Sequence, residues 1–343
     1  MKSACIAAAA LSLAALSAVA AGKDPVAFSH NDWEIVCDNT RTCRAAGYQV
    51  DRGDSAPVSM LITRAAGPAT PIEIQLQLGG ESDVKGAVRL KVGKASISGL
   101  QGSDSELDAG QVRTILPELL KSDEAAVTAG GGRKWALSLA GLNAVLLKMD
   151  EAQGRVGTPG ALVRRGSNPE SSVLPSVPMP VVHTITPPKK HPGDDALAAR
   201  IFPSLNLSDA QSLCNSTDKV DATSVQVDRL SDSKVLLSLG CDVGAYNSTS
   251  LLWIANDKPP YAPVAIDASG DFDGKDASVT STMKTRGIGD CMSVETWHFN
   301  GKDFVRTSTT MDSMCRGFPG GAWSLPRYVS RIVGAASTTP SKP

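Results

Sequence analysis

Two hydrophobic periods divide the chain into recognisable elements. In the first half Trp33, Ile35 and Cys37 fall on every second position, the spacing of a half-buried strand, and strand-like runs follow at 59–62, 72–78 and 87–92. The period then lengthens. Val112, Ile115, Leu116, Leu119 and Leu120 share one face of a helix, although Pro117 should kink or shorten it. Leu142, Val145, Leu146 and Met149 repeat that face. Between the two helices Gly130, Gly131 and Gly132 read as the turn of a hairpin whose second strand carries Trp135, Leu137 and Leu139. The expectation is an α+β unit, an antiparallel sheet with two helices.

The second half opens with a short helix over 195–201 and continues as a series of strands. They are read at 224–230, 234–239, 250–255, 264–268, 278–284, 293–299 and 304–310. Turn signals separate them at short intervals, which favours a mainly-β unit: an antiparallel meander, sandwich or small barrel. Asn300-Gly301 is the strongest local hairpin signal. A two-residue loop there sets Trp297 opposite Phe304, Glu295 opposite Arg306 and His298 opposite Asp303, with Cys291 facing Thr310 and Cys315 past the strand end.

Between these halves, residues 167–193 hold seven prolines in 27 positions, the composition of an extended, semi-rigid linker. Residues 1–21 carry one Lys, an apolar run over 4–16 and the small-residue site Ala18-Val19-Ala20, the pattern of a secretory signal peptide. The reading is export to the periplasm, with secretion beyond the outer membrane left open. No later stretch approaches the ~20 apolar residues of a spanning helix, so the mature chain is not expected to cross a membrane. The organisation that results is a signal peptide over 1–21, an α+β domain over 22–166, the linker over 167–193 and a mainly-β domain over 194–343.

Loss of Cys5 with the signal leaves Cys37, Cys43, Cys214, Cys241, Cys291 and Cys315, an even number in an exported chain. Six cysteines allow 15 connectivities. Pairing of sequence neighbours, Cys37 with Cys43, Cys214 with Cys241 and Cys291 with Cys315, is the expected one, with one bridge in the first domain and two in the second. The two longer loops, with 26 and 23 residues between their cysteines, would each contribute roughly 3 to 4 kcal/mol through chain entropy.

Charge removes one class of partner. With 34 Lys and Arg against 35 Asp and Glu, the chain lacks the clustered positive field that nucleic acid requires. Candidate chemistry is sparse. Gly53-Asp54-Ser55 resembles a serine nucleophile segment, but Ala56-Pro57 follow it and the four histidines lie in no protease-like context. Arg52-Gly53-Asp54 is an adhesion tripeptide that polar loops produce by chance. Paired cysteines leave no thiolate for nucleophilic catalysis or zinc.

Asp271, Asp273 and Asp276, with Ser269 and Gly274, match the first half of a calcium loop, whereas Thr280 stands where a bidentate Glu belongs. An acidic turn between strands is the plainer reading, and calcium is the cofactor such a loop would hold. Phe318 and Trp323, in a Gly- and Pro-rich loop tied by Cys315, are candidate exposed contact residues.

The segment from Phe28 to Tyr48, with Gly287-Ile-Gly-Asp-Cys291 and Met311-Asp-Ser-Met-Cys-Arg-Gly317, closely resembles a family of Gram-negative envelope proteins catalogued as domain-of-unknown-function family 1176. The first half, through its Trp33 to Cys37 opening and the segment from Trp135 to Ala144, also resembles the invasion-associated locus B family, another exported group. Neither likeness implies a catalytic site. The function expected is therefore a periplasmic binding or protein-interaction module without catalytic activity, its partner an envelope protein or cell-wall component. The alternatives are a periplasmic hydrolase using loop carboxylates and a calcium-stabilised structural module.

Overall fold

The alternating residues of the first half fold into two antiparallel sheets whose inner faces share one core. A computed structural model describes residues 25–52, 55–80, 84, 86–208, 220–242, 246–311 and 313–334. The signal segment 1–21, Gly53, Asp54 and Cys214 lie outside the described residues. Strands β1 (Val26–His30), β2 (Trp33–Cys37), β3 (Cys43–Tyr48), β4 (Val58–Arg64) and β5 (Glu73–Leu78) run as a meander. Next come β6 (Ala87–Val92), β7 (Ala95–Gln101) and β8 (Asp104–Glu106), the last of which joins the first sheet beside β5. Helix α1 (Ala109–Leu119), β9 (Glu124–Thr128), β10 (Lys134–Ser138) and helix α2 (Leu142–Ala152) follow, the second sheet having the order β10-β9-β6-β7.

Asp108 caps α1 through its carboxylate, and Gln111 returns a bond to the Asp108 backbone, so the helix start is fixed locally. Pro117 lies inside α1, which ends two residues later. The shared core collects Trp33, Met60 and Leu76 from the first sheet, Leu90 and Leu137 from the second, and Ile115 and Leu146 from the helices. The Trp33 indole N–H bonds the Ser138 carbonyl at 2.8 Å, and its ring lies where a Cβ on Gly47 would project. A small residue in β3 is thus a steric requirement of the tryptophan.

After β11 (Val181–His183) and the short helix α3 (Leu197–Ile201), a sheet forms from β12 (Val225–Arg229), β13 (Lys234–Asp242), β14 (Ser248–Asn256) and β15 (Val264–Ala265). Another follows from β16 (Asp271–Asp273), β17 (Ser278–Lys284), β18 (Met292–Phe299), β19 (Phe304–Thr310) and β20 (Pro326–Val329), each in antiparallel order. One face of the first of these sheets packs Val227, Leu237 and Trp253 against Leu197 and Ile201 of α3. Its other face packs Leu236, Leu252 and Ile254 against Val279, Trp297 and Phe299. The chain is mostly antiparallel β with few helices.

The Asn300-Gly301 hairpin forms with a different register. Phe299 pairs with Phe304, His298 with Val305 and Trp297 with Arg306, and a bulge at Thr296/Trp297 sets Val294 opposite Thr310. The cause is local: the Asn300 side-chain oxygen accepts the N–H groups of Lys302 and Asp303, and the Asn300 backbone N–H donates to the Asp303 carbonyl, closing a four-residue loop. Arg306 then lies 5.7 Å from the Trp297 ring and reaches Glu295 at 3.6 Å.

The Pro-rich segment is held on both sides. Leu174 bonds Gln153 and Gly67, Val177 bonds Thr40, and β11 pairs in parallel with β21 (Arg331–Val333). Cys37 faces Cys43 across β2 and β3 and is joined to it, with Cα atoms 3.9 Å apart. Cys291 is joined to Cys315 with Cα atoms 4.7 Å apart, tying the start of β18 to the segment that follows β19. Cys241 is also disulfide-bonded.

Candidate functional site: a cleft over the first sheet

Strand alternation decides what the outer face of the first sheet presents. Trp33, Ile35, Met60, Ile74 and Leu76 point into the core, so Glu34, Val36, Ala46, Tyr48, Ser59, Leu61 and Thr63 point outward, followed by Glu73, Gln75 and Gln77 on β5. On β8, Glu106 pairs with Gln75 and Asp104 with Gln77.

Over β2 to β4 this face is covered by the segment that returns after β19. Val36, Ala46, Tyr48 and Leu61 form a buried cluster with Phe318 and Leu325, and Met311, Met314, Ala322 and Trp323 pack around it. Directional bonds fix the contact. The Glu34 carboxylate accepts the Tyr48 hydroxyl at 2.9 Å and the Met314 N–H at 3.0 Å. Arg316 pairs with Asp32 at 3.1 Å, and Gln49 and Arg316 exchange bonds with each other's backbone. The Asn39 side-chain amide donates to the Val329 carbonyl and accepts the Val329 N–H. Burial, reinforced by Glu34, holds the Tyr48 hydroxyl well above its ordinary pKa.

The expectation that Phe318 is an exposed contact residue is corrected here, whereas Trp323 is half-buried and lines the cleft. Phe318 is 5% exposed, and the Trp323 indole N–H donates to Ser59 Oγ at 2.6 Å. They are contact residues within the chain, because the returning loop lands on an apolar patch of the sheet.

The returning loop has its own anchor. Asp290, fully buried, accepts the Gly317 N–H at 2.7 Å and pairs with Arg286. Burial pushes its carboxyl up, but Arg286 and the Gly317 N–H outweigh that, and its pKa lies below the ordinary carboxylate range.

Beyond Leu61 the cover lifts off and leaves a cleft of about 980 Å³. Its floor is Thr63, Glu73, Gln75, Gln77, Asp104 and Glu106; its opposite wall includes Met292, Val294, Met311 and Trp323. Among the described residues the side chains of Thr63, Glu73, Gln75, Asp104 and Glu106 have no hydrogen-bond or ion-pair partner, and the Gln77 amide oxygen is buried without one. Arg44 also lines the cleft, but its guanidinium is held by Asp38 at 2.8 Å. Of the floor residues, those of β5 fall in the strand run legible over 72–78; nothing local marks β8 or the loop that roofs the floor from some 240 positions away.

The sequence-derived calcium residues do not gather. Asp273 accepts the Lys275 N–H, Asp276 accepts the Ser278 N–H, and Asp276 also lies 3.6 Å from His298. Among the described residues the one group of metal-ligating types that converges is Asp290 with Cys291 and Cys315, whose sulfurs are spent on each other. Asp276, His298 and Thr307 also fall in the order of a catalytic triad. The Thr307 hydroxyl, however, is buried and shared between His298 Nδ1 and the Thr296 carbonyl, a hydrogen-bonded core group with no access to a substrate. Burial lowers the His298 pKa despite Asp276, consistent with a neutral core imidazole.

Among the described residues two carboxyls are raised. Asp150 is raised by burial within a network with Arg64 and the backbone of Leu162 and Val163. Asp228 is raised by burial, with Lys190 opposing and Asp195 adding, in a smaller cleft of about 440 Å³ beside α3. The Lys190 ammonium there is taken by Asp195 at 2.5 Å.

Fold and site together define an antiparallel β protein with a preformed cleft between its two halves. The chain belongs to the family described as "Protein of unknown function (DUF1176)", whose model matches residues 27–330. It is 28% identical over 331 residues to "Uncharacterized protein YpfG" of Escherichia coli (strain K12), a match covering 87% of this chain and 92% of that protein. Among solved structures, invasion associated protein b from Bartonella henselae matches 38% of this chain and 99% of its own, with 18% identity and a TM-score of 0.29.

Proposed function

We propose that this chain is an exported periplasmic protein of two domains, 22–166 and 194–343, and that it is a binding module whose ligand seats in the cleft over the first sheet. The observation that carries this reading is the unpartnered polar floor. Six polar side chains stand side by side in a concave site whose walls are fixed by reciprocal hydrogen bonds and a disulfide, the arrangement of a preformed ligand site. The signal-like segment and the cysteines beyond it support export. Binding is preferred over hydrolysis because neither raised carboxyl, Asp150 nor Asp228, lines this cleft.

The partner is an envelope protein or a cell-wall component. Filling the cleft tests the idea: a Gln75→Trp variant, folded and as stable as the wild type, should lose retention of envelope-derived ligand on immobilised protein. Undiminished retention would overturn the proposal.

A further inference from the structure

We propose that the cleft selects a ligand bearing two or more alkylammonium or guanidinium groups on an aliphatic chain, a reading that rests on the cleft being the binding site. The charge inventory points this way. Glu73, Asp104 and Glu106 line the floor without a partner among the described residues, and Arg44, the one basic side chain lining it, is already neutralised by Asp38. The unpartnered Gln75 amide adds an acceptor on the same face. In a chain of net charge −1, this is a local surplus of acceptors and negative charge, and the complementary ligand donates and is positive.

Spacing separates a molecule from a metal ion. Asp104 and Glu106 are two positions apart on one strand, so their Cβ atoms stand about 7 Å apart on the same face. Glu73 lies diagonally across from Glu106, at a comparable distance of roughly 7–8 Å. No three carboxylates of the floor converge as a divalent cation needs. Charges spread in this way suit several cationic groups separated by methylenes.

The wall supplies the rest. Met292, Val294 and Met311 offer apolar surface for the methylenes. Trp323, its indole N–H satisfied by Ser59, adds further apolar surface to the same wall. A free polyamine and a lysine- or arginine-rich peptide segment share this chemistry.

The test is calorimetric titration of the mature protein at low ionic strength with spermidine, with a tetralysine peptide, with neutral maltotetraose and with calcium. The expected result is binding of spermidine or tetralysine at least tenfold tighter than of maltotetraose. Whichever of the two binds tighter identifies the source. Affinity should fall at least tenfold in an E73Q/D104N/E106Q variant and by a few-fold in E106Q alone, and should weaken on raising salt.

Cations binding no tighter than maltotetraose, calcium competing fully with them, or an unchanged affinity in the triple variant would overturn the inference. If Gln75→Trp abolishes retention of envelope ligand while the triple variant retains it, the cleft stands and the cationic ligand falls. If neither variant changes retention, both readings fall.

Discussion

The outer face of the first sheet carries two regions with opposite fates. Over β2 to β4 its side chains are mostly apolar or short, and the returning segment settles on them with the polar ones, Glu34, Tyr48 and Ser59, hydrogen-bonded. Over β5 and β8 the outward residues are Glu, Gln and Asp, too polar to be covered without partners, and the same segment stands off. β4 contributes to both, with Ser59 and Leu61 under the cover and Thr63 beyond it. One alternating pattern thus yields a sealed contact where its outward positions can be buried, and a cleft where burial would cost unpaired polar groups.

The comparison breaks most readily at Leu325, fully buried at the centre of the sealed region. Leu325→Ala should destabilise the protein by about 3 kcal/mol, since the cover has no apolar replacement for the lost side chain. Urea unfolding reads this directly. A loss below about 1 kcal/mol would mean that the returning segment is not anchored there.

Glu34 comes next. Removal of its carboxylate in Glu34→Ala leaves the Tyr48 hydroxyl and the Met314 N–H without that acceptor in a buried setting, a cost of about 2 kcal/mol by chemical denaturation. The same contact is alkali-sensitive. Because the folded-state pKa of Tyr48 is raised above 10, the unfolded chain ionises first. The stabilisation is complete below pH 10 and is lost as pH climbs from there toward the folded value. Tyr48→Phe should remove this alkaline slope from the melting temperature; a slope that persists unchanged would assign it to another group.

The sealed region also shows how far local pattern reached. The strand and helix runs were legible because each carries its own period, and α1 and β17 fall where their apolar spacing puts them. β3 was missed because its small residues follow from Trp33, which no window around Cys43 to Tyr48 contains. The Asn300-Gly301 turn was located, but not its register, because an Asn side chain can close a four-residue loop as readily as Asn-Gly closes a two-residue one. Of the polar floor, the strand run over 72–78 was legible and β8 was not. Its roof was not, since Phe318 and Trp323 reach it only through contacts some 260 positions apart in sequence.

Asp290 sharpens the comparison from the side of the cover. Its carboxylate holds the returning loop at Gly317, and its folded pKa is lowered, so its contribution is present above the unfolded carboxylate value near 4 and is lost as pH falls through the folded one. Asp290→Asn keeps an acceptor for Gly317 but surrenders the charge that Arg286 meets. The expected loss is roughly 1 to 2 kcal/mol at neutral pH, together with a shallower acid limb in melting temperature against pH. An acid limb as steep as the wild type's would show that other carboxylates carry it.

The smallest effect is expected where the polar floor is touched. Gln75→Ala and Glu106→Gln remove side chains that make no bond to the rest of the described chain, so each should change unfolding free energy by less than about 0.5 kcal/mol. Glu106→Gln should, if anything, be slightly stabilising, because it relieves repulsion from Asp104 on the same face of β8. Groups that a fold holds in a concave site without using them for stability are free to serve a ligand. Parallel urea curves for wild type, Gln75→Ala and Glu106→Gln would establish that freedom, and a loss above about 1 kcal/mol in either variant would return the floor to the scaffold.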